Sequence, residues 1–287
     1  MRIIDCFPYF NEKELLELRI KLLENTVDLF VICEANYTQS GIQKEYTCRE
    51  TIKQLGLNTD KIRVVEVNLP NVVEEPNHWV RERNQRNAAA EFIDQDTVAI
   101  VTDCDEIIRP DLVPYYTWMA QKYPNNILRI PMAYLNCRAD LRVCNEDGSP
   151  KNWNSGFICL SNQVQKYTLS EIRESHAMNL NNIEYTDIFI TDNGIVTSAG
   201  WHFSWMGKVD QLKQKSLASM HVGDFVMYAA GQMGSPELFT FMDTYVAKEG
   251  STDPLGRANH ILQKYPIDQL PAKIFELPHV KDFLLPE

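Results

Sequence analysis

The sequence predicts an α/β fold: a parallel sheet with helices on both faces, followed by an irregular second half. Three observations carry this. The first hundred residues alternate short apolar runs with helix-period runs, the pattern of a parallel sheet built from strand–helix units. Acidic residues stand where several apolar runs end, and open α/β sheets bind ligands beyond their carboxyl ends. After residue 108 the alternation gives way to clustered short strands and proline-rich connections.

In order, Arg2 to Cys6 reads as a buried strand. Glu12 to Asn25 reads as an amphipathic helix, with Leu15, Leu16, Leu18, Leu22 and Leu23 near one side. Asn11 is the expected N-cap and Glu14 completes a capping box. Leu29 to Glu34 is the second strand. Glu50 to Leu55 ends a helix that Gly56 stops. Ile62 to Val67, rich in β-branched residues, is the third strand. A proline-containing loop leads to a helix from about Trp79 to Ile93. Val98 to Thr102 is the fourth strand, and it delivers Asp103-Cys104-Asp105-Glu106. Asp5, Glu34 and Asp103, each at an expected strand end, would gather along one rim. Further on, strand pairs are expected over Ile127 to Val143, broken near Pro131. A polar loop follows from Asn145 to Asn154, and helices are expected over Lys208 to Met220 and Pro236 to Lys248. The prolines of the last stretch suggest a surface wrap. With no repeat and no linker, residues 1–287 are expected to form one domain, divided into halves 1–107 and 108–287.

Composition narrows the function. The chain has 287 residues, 44% hydrophobic, which is too apolar for a disordered segment. Its 39 acids against 28 bases disfavour a nucleic-acid partner, which needs a basic footprint. Seven cysteines without a CxxC pair exclude zinc-finger spacing and read as reduced, buried thiols of a cytoplasmic protein. No secretory leader and no membrane-spanning run is expected. Dinucleotide and phosphate-loop signatures, HExxH and GxSxG are absent.

Three segments could carry chemistry. In VAIVTDCDEI an apolar strand ends in Asp103 and Asp105. That spacing lets two carboxylates approach one hard cation, Mn²⁺ or Mg²⁺, bridging to phosphates. The alternative is an acidic turn ahead of the helix that begins near Pro110. In WVRERNQRNAAAEF, Arg81, Arg83 and Arg86 fall within about two turns, suited to phosphate or ribose. They could equally form a solvated face paired with Glu82 and Glu91. In SAGWHFSWMG, two tryptophans flank His202, with Gly200 and Gly207 allowing close approach of a sugar. His202 supplies a borderline metal ligand. The alternative there is an aromatic core strand.

These residues resemble glycosyltransferase family seventeen, the family of the bisecting β-1,4-mannosyl-glycoprotein β-1,4-N-acetylglucosaminyltransferase. The resemblance runs through IIDCFPYFNEKELLELRIKLL, VDLFVICEANYTQSG, WVRERNQRN with TDCDEI, and SAGWHFSW, with Lys215 and His221 matching a looser pattern. It implies a GT-A-like, Rossmann-type nucleotide-sugar-binding sheet and an irregular acceptor-side C-terminal half. It also implies a UDP-sugar donor, UDP-GlcNAc or a close relative, together with a divalent cation and inversion at the anomeric carbon. Under this reading Asp103, Asp105 and His202 hold the metal. Asn11, Glu34, Arg81, Arg86 and Asn87 hold the nucleotide sugar. Trp153, Trp201 and Trp205 stack on donor or acceptor sugar. Inversion needs a carboxylate base, for which Asp187 and Asp192 are the first candidates, with Glu106 and Glu174 behind them. The cation and the Arg81–Arg86 cluster would offset the donor's two negative charges in a chain of net charge −11. Two alternatives stand: a haloacid-dehalogenase-like phosphatase with Asp103 as nucleophile, and a non-catalytic nucleotide-sugar-binding module.

Overall fold

The structure is a computed structural model. It describes residues 1–178, 185–187, 190–192, 195–219, 236, 243, 246–251 and 260–285; the side chains of 176–178, 185–187, 190–192, 195–197 and 283 are not described. His221 and most of the expected helix 236–248 lie outside the described residues.

The first third builds one side of a seven-stranded mixed sheet. Its strands are β1 (Arg2–Tyr9), β2 (Leu29–Ala35), β3 (Ile62–Val67) and β4 (Thr97–Val101), joined by α1 (Lys13–Leu23), α2 (Cys48–Gln54) and α3 (His78–Asn87). These four strands are parallel and stand in the order β3-β2-β1-β4. The chain therefore steps one way from β1 to β3 and then crosses back to the other side of β1. The β1/β4 boundary is a topological switch point, where diverging loops open a crevice. Beyond β4 the sheet turns mixed. β10 (Phe157–Leu160) lies antiparallel between β4 and β6 (Ile127–Arg129), and β11 (Tyr185–Asp187) completes the edge. The expected α/β sheet flanked by helices is what the chain forms.

Both faces of this sheet are covered, and the strands show it by alternation. Val98 and Ile100 pack with Leu15, Leu18 and Tyr116 on one face, while Ala99 and Val101 pack with Ala89, Leu169 and Ile172 on the other. The helices that cover these faces include α1 and α4 (Val113–Lys122) on the first side, and α3, α5 (Ser161–Val164) and α6 (Leu169–Met178) on the second.

The second half adds a smaller sheet in which β5 (Glu106–Ile108), β7 (Met132–Asn136), β8 (Arg138–Asn145), β14 (Gly200–Ser204) and β15 (His260–Lys264) are ordered β15-β8-β7-β14-β5; β9 (Asn152–Trp153) pairs with β7. The chain break at Pro131 separates β6 from β7, as expected. Gly200 is required by strand contact: a Cβ there would stand 2.4 Å from the Ile107 carbonyl oxygen. Its smallness serves the β5–β14 pairing, where the sequence had suggested room for a sugar.

Some local expectations change. Asn11 is not the cap of α1. Its φ is +56°, Glu12 occupies the N-cap position, and no side chain caps the helix there. β1 runs on to Tyr9, so Asp5 lies within the strand, fully buried, below the rim. All seven cysteines are free, six of them buried and Cys137 partly so. Among the described residues, no helix is long and apolar enough to cross a membrane.

Candidate functional site

A cavity of about 290 Å³ opens at the switch point. Its walls come from the carboxyl ends of β1, β2 and β4, the strands β7, β9 and β14, and α7 (Val209–Ala218). Asp103, Asp105, Trp153, His202, Trp205 and Lys215 all line it.

The turn after β4 is held from beneath. Arg19 of α1 is fully buried; its Nε donates to Asp5 Oδ2 at 2.7 Å, and its Nη1 donates to the carbonyls of Asp103 and Glu106, both at 2.8 Å. A buried guanidinium needs acceptors on every face, and here those acceptors fix the backbone that presents Asp103 and Asp105. Arg19 stands on the apolar side of α1, four residues from both Leu15 and Leu23. That misplaced charge, opposite an Asp in an apolar strand, was the signal to find it.

The two aspartates then separate in role. Both Asp103 carboxylate oxygens are taken, Oδ1 by Arg86 Nη1 at 2.8 Å and Oδ2 by Arg173 Nη2 at 2.5 Å. Arg173 also donates to both oxygens of Glu106, which is fully buried. Burial pushes the Glu106 carboxyl up, but the charge and hydrogen bonds of Arg173 outweigh it and hold it well below the usual range. Asp103 is thus a structural anchor. The charge that its spacing had offered to a cation is instead offset by two guanidinium groups.

Asp105 faces the cavity. Its Oδ2 accepts from Lys215 Nζ at 3.0 Å, and its Oδ1 stands 3.7 Å from His202 Nε2. The β5–β14 pairing, with His202 opposite Glu106, produces this juxtaposition. The imidazole packs in a three-ring cluster, stacked on Tyr134 at a centroid distance of 5.1 Å and tilted against Trp153 at 4.5 Å, while Tyr134 and Trp153 touch each other at 5.4 Å. Trp153 is itself fixed by its indole N–H, which donates to Glu106 Oε1. Burial pulls the His202 pKa below its ordinary value, against the opposing pull of Asp105 and Glu106. The ring is therefore neutral near pH 7. Among the described residues its buried Nδ1 has no hydrogen-bond partner, and Asp105 Oδ1, at 3.7 Å, is beyond hydrogen-bond reach of Nε2. Leaving such a buried group unpaired costs about 1–3 kcal/mol.

This pair suits a divalent cation. Among the described residues there is no group of three or more His, Cys, Asp or Glu that could form a closed metal cage. Mg²⁺-type ions seldom use one: they keep water and take one or two protein carboxylates plus substrate phosphates. One carboxylate oxygen and the Nε2 of a neutral imidazole, 3.7 Å apart at a cavity wall, fit that mode.

The remaining sequence-derived candidates fall elsewhere. The arginines of α3 do not converge on the cavity. Arg81 is fully buried and its Nε donates to the Gln39 carbonyl, bracing the loop after β2; its Nη2 has no partner among the described residues. Arg83 forks onto Glu174, and Arg86 is spent on Glu82 and Asp103. The α3 residues that line the cavity are Glu82 and Gln85. Asn87 accepts from the Ser170 backbone N–H at 2.9 Å and so caps the start of α6. Glu34 is fully buried. Its oxygens accept from the backbone N–H groups of Thr47 and Cys48 and from Lys44, anchoring the start of α2. Asn11 is exposed and accepts from the Thr47 hydroxyl. Trp201 points away from His202, as strand alternation demands; it packs in the core and its Nε1 donates to the Gln269 carbonyl. Trp205 lines the cavity with φ +52°, a conformation that costs a bulky residue energy and recurs at functional sites. Asp187 ends β11 and Asp192 ends β12 (Ile190–Asp192); their side chains lie outside the described residues. Glu12 and Lys215 are cavity residues given no role in the sequence reading. The Glu12 carboxyl is pushed up to about 7, chiefly by burial.

Residues 1–135 match the family model described as glycosyltransferase family 17. The resemblance read from the sequence is borne out over this stretch, which contains the Asp103–Asp105 turn and ends before His202. No curated protein matches the chain. Among solved structures, it is similar to the glucosyl-3-phosphoglycerate synthase of Mycobacterium tuberculosis in complex with Mn²⁺, UDP and phosphoglyceric acid. Identity is 11% over 96% of this chain and 91% of that one, with a TM-score of 0.39. It is also similar to S. aureus TarS 1–349 in complex with UDP-GlcNAc, at 11% identity, covering 75% of this chain and 64% of that one, with a TM-score of 0.40. A 4-diphosphocytidyl-2C-methyl-D-erythritol synthase is similar at 13% identity, covering 68% and 91% of the two chains, with a TM-score of 0.37.

Proposed function

We propose, from the match of residues 1–135 to glycosyltransferase family 17, that the chain is an inverting, cation-dependent glycosyltransferase. On this reading it moves a sugar from a UDP-sugar, with UDP-GlcNAc the donor that the family resemblance favours, to a glycan acceptor. The observation that carries the reading is the buried, neutral His202 whose Nε2 faces Asp105 Oδ1 at 3.7 Å in the switch-point cavity.

Asp105 and His202 would hold Mn²⁺ or Mg²⁺; when bound, the ion offsets charge on the diphosphate leaving group. Arg19, Arg86 and Arg173 keep the turn rigid, so that Asp105 is presented without reorganisation. Trp153 and Tyr134 pack against the His202 ring and form, with Trp205, an aromatic wall on which a sugar can stack. The acceptor hydroxyl must lose a proton as it attacks, and Asp187 and Asp192 remain the proposed bases. Glu106 and Glu174 are unsuited, since arginines engage both. The phosphatase alternative needs Asp103 as a nucleophile, and Arg86 and Arg173 hold both of its oxygens.

The test is transfer, or slow UDP release, from UDP-GlcNAc with Mn²⁺ and a glycan acceptor panel, repeated with chelator and with Asp105→Ala. Cation-dependent UDP release that D105A abolishes supports the reading. Phosphate release from a simple ester without any nucleotide sugar would replace it with the phosphatase, and donor binding without turnover would replace it with the binding module.

A further inference from the structure

Two lysines line the cavity. Lys44 donates to Glu34 Oε1 and to the carbonyls of Ala35 and Glu45, at 2.8, 3.1 and 2.8 Å, which uses all three of its N–H groups. Lys215 is placed differently. Its Nζ lies 3.0 Å from Asp105 Oδ2 and 4.0 Å from Glu12 Oε1, with 29% of the side chain exposed. The backbone beneath it is fixed, because Ser40 donates to the Leu217 carbonyl through its hydroxyl and to the Ala218 carbonyl through its N–H. The four-carbon stem is the adjustable part, and an ammonium is a point charge that can change partners without a fixed fork geometry. Burial works against the charge on Lys215, but Asp105 and Glu12 outweigh it, so the group is cationic throughout the neutral range.

We propose that Lys215 couples cation binding to diphosphate binding: it competes with a divalent cation for Asp105, and turns to the donor's diphosphate once the cation is in place. The inference rests on the proposed function and deepens it. A divalent ion at Asp105 meets an ammonium already on the other carboxylate oxygen. Three positive charges would then face at most two negative ones, on Asp105 and Glu12. A nucleoside diphosphate brings further negative charge, so Lys215 gains a partner as it gives up Asp105. Arg86 and Arg173 cannot take that role, since both are committed to Asp103. Each ligand must then tighten the other by the same factor.

The experiment titrates Mn²⁺, followed by the paramagnetic signal of the free ion, into wild type, Lys215→Met, Lys215→Gln and Lys215→Arg, each with and without saturating UDP. Wild type is expected to hold Mn²⁺ weakly alone and at least about tenfold more tightly with UDP. K215M should hold Mn²⁺ alone about tenfold more tightly than wild type, with UDP adding little. K215Q should repeat this and decides the matter if K215M fails to fold; K215R, which keeps the charge, should behave as wild type. Neutral variants that match wild type in both affinities overturn the coupling and leave the transferase reading intact. A wild-type protein that holds no Mn²⁺ even with UDP overturns the cation site itself, and the coupling with it.

Discussion

His202 Nε2 faces Asp105 Oδ1 at 3.7 Å, and the backbone decides that distance. The Phe203 N–H donates to the Asp105 carbonyl at 2.8 Å, while His202 pairs with Glu106 across β5 and β14. Two residues 97 positions apart are therefore locked by strand register, and Trp153 and Tyr134, themselves in contact, pack against the imidazole. The arrangement keeps an unsatisfied polar ring in the protein interior, which is costly for folding and useful for binding.

That cost gives the first prediction. His202→Phe keeps the stacked ring and removes the unpaired Nδ1, so stability should hold or rise by up to about 1 kcal/mol. The same variant should lose Mn²⁺-dependent UDP binding and at least about 100-fold in transfer. Urea unfolding and calorimetric UDP titration separate the two effects. A destabilised H202F with intact cation dependence would show that the imidazole is a packing residue.

The second concerns the support under the turn. Arg19→Met leaves Asp5 charged and buried without a partner, and frees the Asp103 and Glu106 carbonyls. Breaking a buried pair from one side costs about 3–5 kcal/mol. Arg19→Met with Asp5→Leu removes both charges and should recover much of the stability, though not the rigidity of the turn. Recovered stability with recovered UDP binding would mean that Arg19 matters only as a counter-ion.

These cases show what the sequence made readable. Continuous apolar runs exposed the strands because a sheet covered on both faces needs apolar residues at both parities, as Val98 to Val101 show. The acidic turn after β4 was readable for the same reason, since the apolar run ends where the rim begins. The partners of the charges were not. Arg86 and Arg83 share a helix with Arg81, and periodicity assigns them faces without naming acceptors. Those acceptors come from Asp103 and Glu174, 17 and 91 residues away. Glu34 stands at a strand end, as a ligand-binding acid would, yet the free N–H groups at the start of α2 claim it first. Trp201 and Trp205 share parity along the chain. The left-handed turn at Trp205 breaks the strand pattern there, so one lies in the core and the other on the cavity.

The third prediction follows from Glu34. Glu34→Gln cannot satisfy Thr47, Cys48 and Lys44 together, so it should cost about 1–3 kcal/mol through the loss of bonds to α2. UDP affinity should stay nearly unchanged once the protein is folded. A large loss of UDP affinity without loss of stability would restore Glu34 as a nucleotide contact.

The fourth uses Glu106, whose carboxyl Arg173 holds below its usual range in spite of burial. A depressed carboxylate contributes stability above its unfolded pKa, about 4.3, and that contribution is lost as pH falls through the folded value. Wild type should therefore weaken steeply below about pH 4. Glu106→Gln should be less stable at pH 7 by about 3–5 kcal/mol, because Arg173 loses part of its compensation, and should show a shallower acid limb. Parallel acid limbs for the two proteins would remove Glu106 as the titrating group.

Glu12 gives the opposite sign. Burial lifts its carboxyl from 4.5 to about 7, with Asp105 adding to the rise and Lys215 opposing it. A carboxyl raised by folding is bound to its proton more tightly in the folded state. Its stabilisation is complete below the unfolded pKa and disappears as pH climbs to the folded one. Each unit is worth about 1.4 kcal/mol, so the loss between about pH 4.5 and 7 is on the order of 2–3 kcal/mol for a side chain only 19% exposed. Glu12→Gln carries no proton to lose. Its stability relative to wild type should rise across that window and level off above pH 7, measured by urea unfolding at half-unit steps. Because Lys215 then keeps Asp105 as its one acidic partner among the described residues, the same variant should also hold Mn²⁺ alone more weakly than wild type. A stability difference that stays flat from pH 4.5 to 8 would place the Glu12 proton outside the folding equilibrium and leave Lys215 between two full negative charges, on Asp105 and Glu12, at neutral pH.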